Sequence, residues 1–163
     1  MRRFVLAAFA LTVLAACQAA DTELTDYQKG EIEAEVNLEL ETMWDHFRQA
    51  DFDRGITYWE DSPEQLFAGA EGGILKGFAA IDAAFRPGFT TIASQELNLD
   101  ETHIKVVTRD VVYAMQRGTY AATDTSGVTE PTRPFAYSFL WTRTDAGWKV
   151  SSAHMSAGDP ITQ

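Results

Sequence analysis

The sequence predicts an α+β fold. Apolar residues recur every three or four positions in the first part of the domain and every second position in the last part. The helical segments precede the strands and do not alternate with them, which points away from a parallel sheet with crossover helices.

From Thr25 the period is helical. Ile32, Val36, Leu40, Met43 and Phe47 recur on one face, with Glu31, Glu33, Glu35, Glu39 and Glu41 between them. Thr25 and Gln28 have capping-box spacing, so a long amphipathic helix is expected from there to about Ala50. A second, shorter helix is expected over Asp51 to Trp59, entered by an Asp cap and broken at Asp61-Ser62-Pro63. Gln65 to Ala68 and Gly73 to Leu75 read as a small hairpin around Glu71-Gly72. A third helix, Phe78 to Arg86, presents Phe78, Ile81 and Phe85 on one face and should stop at Pro87-Gly88. Strands are then expected over Ser94–Leu99 and His103–Val107, with a break between them, and over Val111–Ala122, Pro134–Thr144 and Trp148–Ser156. Asp145-Ala146-Gly147 is a tight hairpin turn, and the polar stretch from Thr123 to Thr132 is a loop.

Ahead of the domain, Met1-Arg2-Arg3 is a short basic segment, and Phe4 to Ala16 is almost wholly apolar. That run is too short for a permanent membrane span and reads as a signal peptide over residues 1–16. It ends in Leu14-Ala15-Ala16-Cys17, which resembles the lipobox of bacterial lipoproteins. The resemblance implies diacylglycerol on Cys17, cleavage before it and acylation, as by palmitate, of the new amino terminus. The alternative is ordinary cleavage after Ala19. Cys17 is the single cysteine of the chain and stands where the lipobox needs it, which favours lipidation. Gln18 in place of an Asp directs the expected address to the outer membrane of a Gram-negative bacterium. Residues 17–24 form a short lipidated tether, residues 25–158 the domain, and residues 159–163 a tail.

Cleavage removes Arg2 and Arg3 and takes the net charge from −11 to −13. So acidic a surface repels nucleic acid and anionic headgroups, leaving the lipid anchor as the expected membrane contact.

The element order resembles the nuclear transport factor 2-like superfamily and, within it, the SnoaL-like branch. The segment Phe139-Leu140-Trp141-Thr142-Arg143-Thr144-Asp145-Ala146-Gly147-Trp148-Lys149-Val150 with His154-Met155-Ser156 is similar to that branch's closing hairpin. Gly72 to Ile81 resembles the entry to its third helix. The resemblance spans about residues 27–156. It implies a cone, with three N-terminal helices packed on a strongly curved antiparallel sheet around one apolar pocket, and a homodimer formed through the sheet. Its members include isomerases, dehydratases, hydrolases, cyclases and binding proteins, so fold alone assigns no activity.

Alternation along strands groups the candidate site residues. Trp148, Val150, Ser152, His154 and Ser156 form one set, Tyr137, Phe139, Trp141 and Arg143 another, and Val111, Tyr113, Met115, Arg117 and Thr119 a third. With these sets facing inward, His154, Arg117, Tyr113 and Tyr137 become the polar groups of an aromatic pocket. His154 is the candidate general acid or base because imidazole titrates near neutrality. Its plainer reading is a core histidine bonded to Tyr137 or a backbone carbonyl. Arg117 can bind a carboxylate or an oxyanion, or more plainly pair with Asp124 or Glu130 at the rim. Trp59 and Trp141 can stack on a flat ligand, while Trp148, beside a turn, reads as core. Asp51 and Asp53 are accounted for by helix capping.

His46, His103 and His154 fall on separate elements without metal-ligand spacing, so no metal is expected. Neither a phosphate-binding glycine loop nor a Gly-x-Ser-x-Gly elbow occurs, and no cofactor is expected. The leading reading is an envelope lipoprotein whose domain binds a small apolar or aromatic ligand. Two alternatives stand beside it. One is a SnoaL-like or steroid-isomerase-like enzyme doing proton transfer or elimination through His154, with Tyr113, Tyr137 or Arg117 supporting the oxyanion. The other is a structural or interaction protein of the envelope.

Overall fold

A computed structural model describes residues 23–161. The signal peptide, Cys17 and most of the expected tether lie outside the described residues. Helix α1 (Asp26–Arg48) starts at the expected capping box: Gln28 N–H donates to Thr25 Oγ1 at 3.2 Å, and Thr25 N–H to Gln28 Oε1 at 3.0 Å. Its buried stripe is Ile32, Val36, Leu40, Met43, Trp44 and Phe47. Ala50, at φ 55°, turns the chain out of the helix in a backbone conformation unusual for a residue with a side chain.

Helix α2 (Phe52–Gly55) is capped by Asp51 and continues as one 3-10 turn over Ile56–Tyr58, so the second helix is shorter and tighter than expected. Gly55 lets α2 approach α1, since a Cβ there would lie 2.6 Å from the Phe47 ring.

Strands β1 (Leu66–Ala68) and β2 (Ile74–Lys76) form the expected hairpin. Helix α3 (Phe78–Phe89) runs through Pro87 and does not stop before it. Proline this late removes one donor from the last turn only. Phe89 holds that turn in place, with its ring 4.9 Å from Phe52 and 5.5 Å from Phe47, centroid to centroid.

Strands β3 (Ile92–Thr108), β4 (Val111–Asp124), β5 (Arg133–Thr144) and β6 (Gly147–Ala157) follow as an antiparallel meander. The six strands are ordered β2-β1-β6-β5-β4-β3, and β1 runs parallel to β6, an exception to the all-antiparallel expectation. The break expected after Leu99 is a bulge at Asp100 within one continuous strand, and further register shifts flank Ala93 and Val107. Such bulges bend a strand and increase its twist, which lets the sheet curl around α1. Gly118 allows the tightest approach in the curl: a Cβ there would sit 1.9 Å from the Asn98 carbonyl oxygen.

The core lies between α1 and the inner face of the sheet, where Val36, Leu40, Met43, Val112, Ala114, Phe139, Trp141 and Val150 are sealed from solvent. One polar relay crosses it. Trp44 Nε1 donates to Gln116 Oε1 at 2.7 Å, and Gln116 Nε2 donates to Thr102 Oγ1 at 3.0 Å. At the other end of α1, Glu35 Oε2 accepts from Trp148 Nε1 at 3.0 Å and Arg143 Nη2 at 2.7 Å, and the guanidinium lies 4.4 Å from the centre of the Trp148 ring. Both donors hold the Glu35 carboxyl below its ordinary pKa, the indole hydrogen bond most. Among the described residues no helix is long and apolar enough to cross a membrane.

Candidate functional site

The open end of the cone contains a cavity of about 500 Å³. Trp44 and Phe47 of α1, Phe52 of α2, Trp59 and the α3 residues Phe85 and Phe89 form its helical wall. Leu97 of β3, Tyr120 and Ala122 of β4, Phe135, Tyr137 and Phe139 of β5 and Met155 of β6 form its sheet wall. Aromatic residues reach the same space from two directions because α1 lies along the curl with its buried stripe facing strands whose inward residues include several rings.

Polar groups on the lining are few. Tyr137 stacks on Phe139, with centroids 5.2 Å apart and rings within 1° of parallel, and meets Trp44 edge-on at 5.4 Å. Burial, reinforced by the nearby Tyr120 phenol, pushes the Tyr137 hydroxyl well above the ordinary tyrosine range, so it is a neutral donor at physiological pH. The Trp59 indole N–H is buried and, among the described residues, has no hydrogen-bond partner. At the rim stand Thr91, Gln95, Asp124, Val128 and Glu130. Asp124 is held by its own turn: Oδ1 accepts from Ser126 N–H at 2.8 Å, Ser126 Oγ at 2.7 Å and Val128 N–H at 2.9 Å. These donors, the Ser126 hydroxyl first, hold its carboxyl below the usual range. Among the described residues no histidine, lysine, arginine or cysteine lines the cavity.

Of the residues expected to form the pocket, the structure brings together Trp59 and Tyr137. Trp141 faces the same side but is fully buried beyond the cavity floor, against Phe139. Tyr113 and Arg117 face the opposite side. On β4 the inward residues are Val112, Ala114, Gln116, Gly118, Tyr120 and Ala122, so the set that starts at Val111 is the outer one. Arg117 pairs there with Glu101, Nε to Oε2 at 2.6 Å, and not with Asp124 or Glu130.

His154 is also on the outer face, exposed, opposite Ser138. The cause is a bulge on β6. Trp141 pairs with Val150 and Leu140 with Ser152, so Ser151 is an extra residue and the alternation reverses after it. Trp148 and Val150 point inward before the bulge, and Ala153 and Met155 after it. His154, Tyr113, Ser138 and Ser152 instead line a shallow groove of about 250 Å³ between the β1/β2 hairpin and the outer face of the meander.

Tyr120 and Gln95 are not singled out by the sequence, and Asp124 and Glu130, expected at the rim as partners of Arg117, line the cavity instead. A signal for the β4 register was present in the small residues Ala114 and Gly118, which share the buried face, Gly118 where the Asn98 carbonyl comes close. Among the described residues no group of three or more His, Cys, Asp or Glu side chains is placed to hold a metal ion.

The SnoaL-like domain family matches residues 36–160. No curated protein matches the chain in sequence. Among solved structures, a provisionally assigned scytalone dehydratase from Novosphingobium aromaticivorans superposes with TM-score 0.70 at 10% identity, covering 85% of this chain and 94% of its own. A provisionally assigned dehydratase of the NTF2-like family from Streptomyces avermitilis gives 0.68 at 15% identity, covering 82% and 99%. An NTF2-like superfamily protein from Salmonella enterica gives 0.60 at 21% identity, covering 86% and 96%. Likeness at these identities concerns the fold.

Proposed function

The chain belongs to the SnoaL-like domain family, and we propose that it is an envelope lipoprotein whose cone binds a small apolar or aromatic molecule. The observation that carries the binding role is the 500 Å³ cavity with aromatic walls on both sides and, among the described residues, no histidine in its lining and carboxylates only at its rim. A proton-transfer enzyme needs an acid/base group within reach of the reacting atom. His154 is on the far side of the sheet, the carboxylates Asp124 and Glu130 stand only at the rim, and the Tyr137 phenol is strongly protonated. This arrangement favours binding over elimination chemistry.

Native mass spectrometry on full-length protein purified from its own membranes tests the role. A bound small molecule is expected in the wild type and absent from Ala122→Trp, which fills the cavity. Empty wild-type protein, together with no thermal stabilisation by any apolar or aromatic compound offered, refutes it. The anchor rests on the lipobox resemblance at Cys17. Cys17→Ser is expected to move the protein out of the membrane fraction, and unchanged membrane association refutes the lipid attachment.

A second reading, the homodimer, is favoured by the outer face. Leu66, Ile74, Met115 and Leu140 are 44%, 73%, 46% and 36% exposed there, around the groove that contains His154. Light scattering that finds only monomer at high concentration removes this reading.

A further inference from the structure

Charge around the cavity is one-sided. Ten aromatic side chains line it, and two carboxylates, Asp124 and Glu130, stand in its lining with no cationic side chain beside them among the described residues. Two neighbouring arginines are engaged elsewhere. Arg86 lies over Phe52 but is held by Asp53 and Asp82, and Arg48 is held by Asp45 and the Leu97 carbonyl. Arg133 opens β5 opposite Tyr120 without lining the cavity.

The rim carboxylates are available to a ligand. All three turn hydrogen bonds to Asp124 converge on Oδ1, leaving Oδ2 free, and Glu130 is exposed. Aromatic faces attract cations through the ring quadrupole, more strongly when the cation is partly desolvated, and carboxylates at an opening add an attraction that weakens with salt. An anionic ligand meets the same groups as repulsion and must also lose its hydration.

Resting on the binding role above, we propose that the ligand is an apolar or aromatic amine, with its protonated nitrogen at the rim beside Asp124 and Glu130 and its body against the aromatic walls. The rim selects by charge and the walls by shape.

The test is isothermal titration of the full-length protein with three probes that share a phenylbutyl body: 4-phenylbutylamine, 4-phenylbutanol and 4-phenylbutyrate. The amine is expected to bind about fivefold tighter than the alcohol at low salt, and the acid weakest, the scale set by exposed ion pairs and a cation over rings. Added salt narrows the gap. The double variant D124N/E130Q retains an oxygen acceptor for the turn and should bind amine and alcohol equally. If that variant also loses the alcohol, E130Q alone decides, since the Glu130 side chain takes no part in the turn: the preference must narrow about twofold. Wild-type protein that binds the alcohol as tightly as the amine, or a preference that survives neutralisation, overturns the charge inference and leaves the cavity reading standing. No binding of any probe, with wild type and Ala122→Trp indistinguishable, overturns the cavity reading and the charge inference with it.

Discussion

The two faces of the β4–β6 meander are built from the same strands and differ little in how apolar they look. Inward lie Val112, Ala114, Gln116 and Gly118, with Phe139 and Trp141 beside them; outward lie Tyr113, Met115, Arg117, Leu140 and His154. The inner face is sealed, the outer one partly exposed. What separates them is size and fit. Inside, Gly118 is confined by the β3 backbone, since a Cβ there would meet the Asn98 carbonyl, and Ala114 is fully sealed; outside, Tyr113, Met115 and Arg117 are large side chains that stand partly in solvent. Hydrophobicity alone therefore misassigns the faces of β4, and the polar Gln116 is inside because Trp44 and Thr102 satisfy its amide.

The sharpest way to break this contrast is Gly118→Ala. Its Cβ would collide with the Asn98 carbonyl, so a loss of about 3 kcal/mol or more is expected in urea unfolding, against about 0.5 kcal/mol or less for Arg117→Ala on the opposite face. Equal costs would show that the curl does not depend on close backbone approach. Next in size is Trp44→Phe, which leaves Gln116 Oε1 buried without its donor and should cost about 2 kcal/mol. A cost near zero would mean that the relay is dispensable.

Glu35→Gln tests the link between α1 and the β5/β6 hairpin. The Glu35 carboxyl is held below its ordinary value of 4.5, so its contribution is present above that pH and is lost as pH falls through the lower folded value. Half-exposed as the group is, the difference between wild type and variant should be about 0.5 kcal/mol at neutral pH after allowing for solvent screening. It should shrink on acidification below 4.5, and a difference that grows there would reverse the sign assigned to the group. Smallest of all is His154→Ala, expected to leave cavity binding within about twofold of wild type and stability within about 0.5 kcal/mol. A large loss of binding in that variant would tie the outer groove to the cavity.

Legibility from sequence differed between fold and site. The capping box at Thr25 and Gln28, the buried stripe of α1, the β1/β2 hairpin and the 145–147 turn all emerge where expected, because each is decided by residues within a few positions of one another. The tail resemblance, Gly147-Trp148-Lys149-Val150 with His154, identified the right family, whereas strand alternation put His154 on the inner face and the bulge at Ser151 puts it on the outer one. Helix α3 ran past Pro87 because Phe89 packs on Phe47 and Phe52, a contact between elements that local rules do not contain.

The sequence by itself determined an acidic α+β domain of the SnoaL-like kind, its element order and an aromatic content sufficient for a lined cavity. Only the tertiary structure decided which aromatics line it, that Asp124 and Glu130 form its rim, and that Tyr113, Arg117 and His154 stand outside. The physical reason lies in register. One extra residue at Ser151 reverses every side chain after it, and the face that β4 turns inward is tied to the close approach of Gly118 to the β3 backbone at Asn98. These are long-range contacts, and the period of a single strand is the same whichever face is buried.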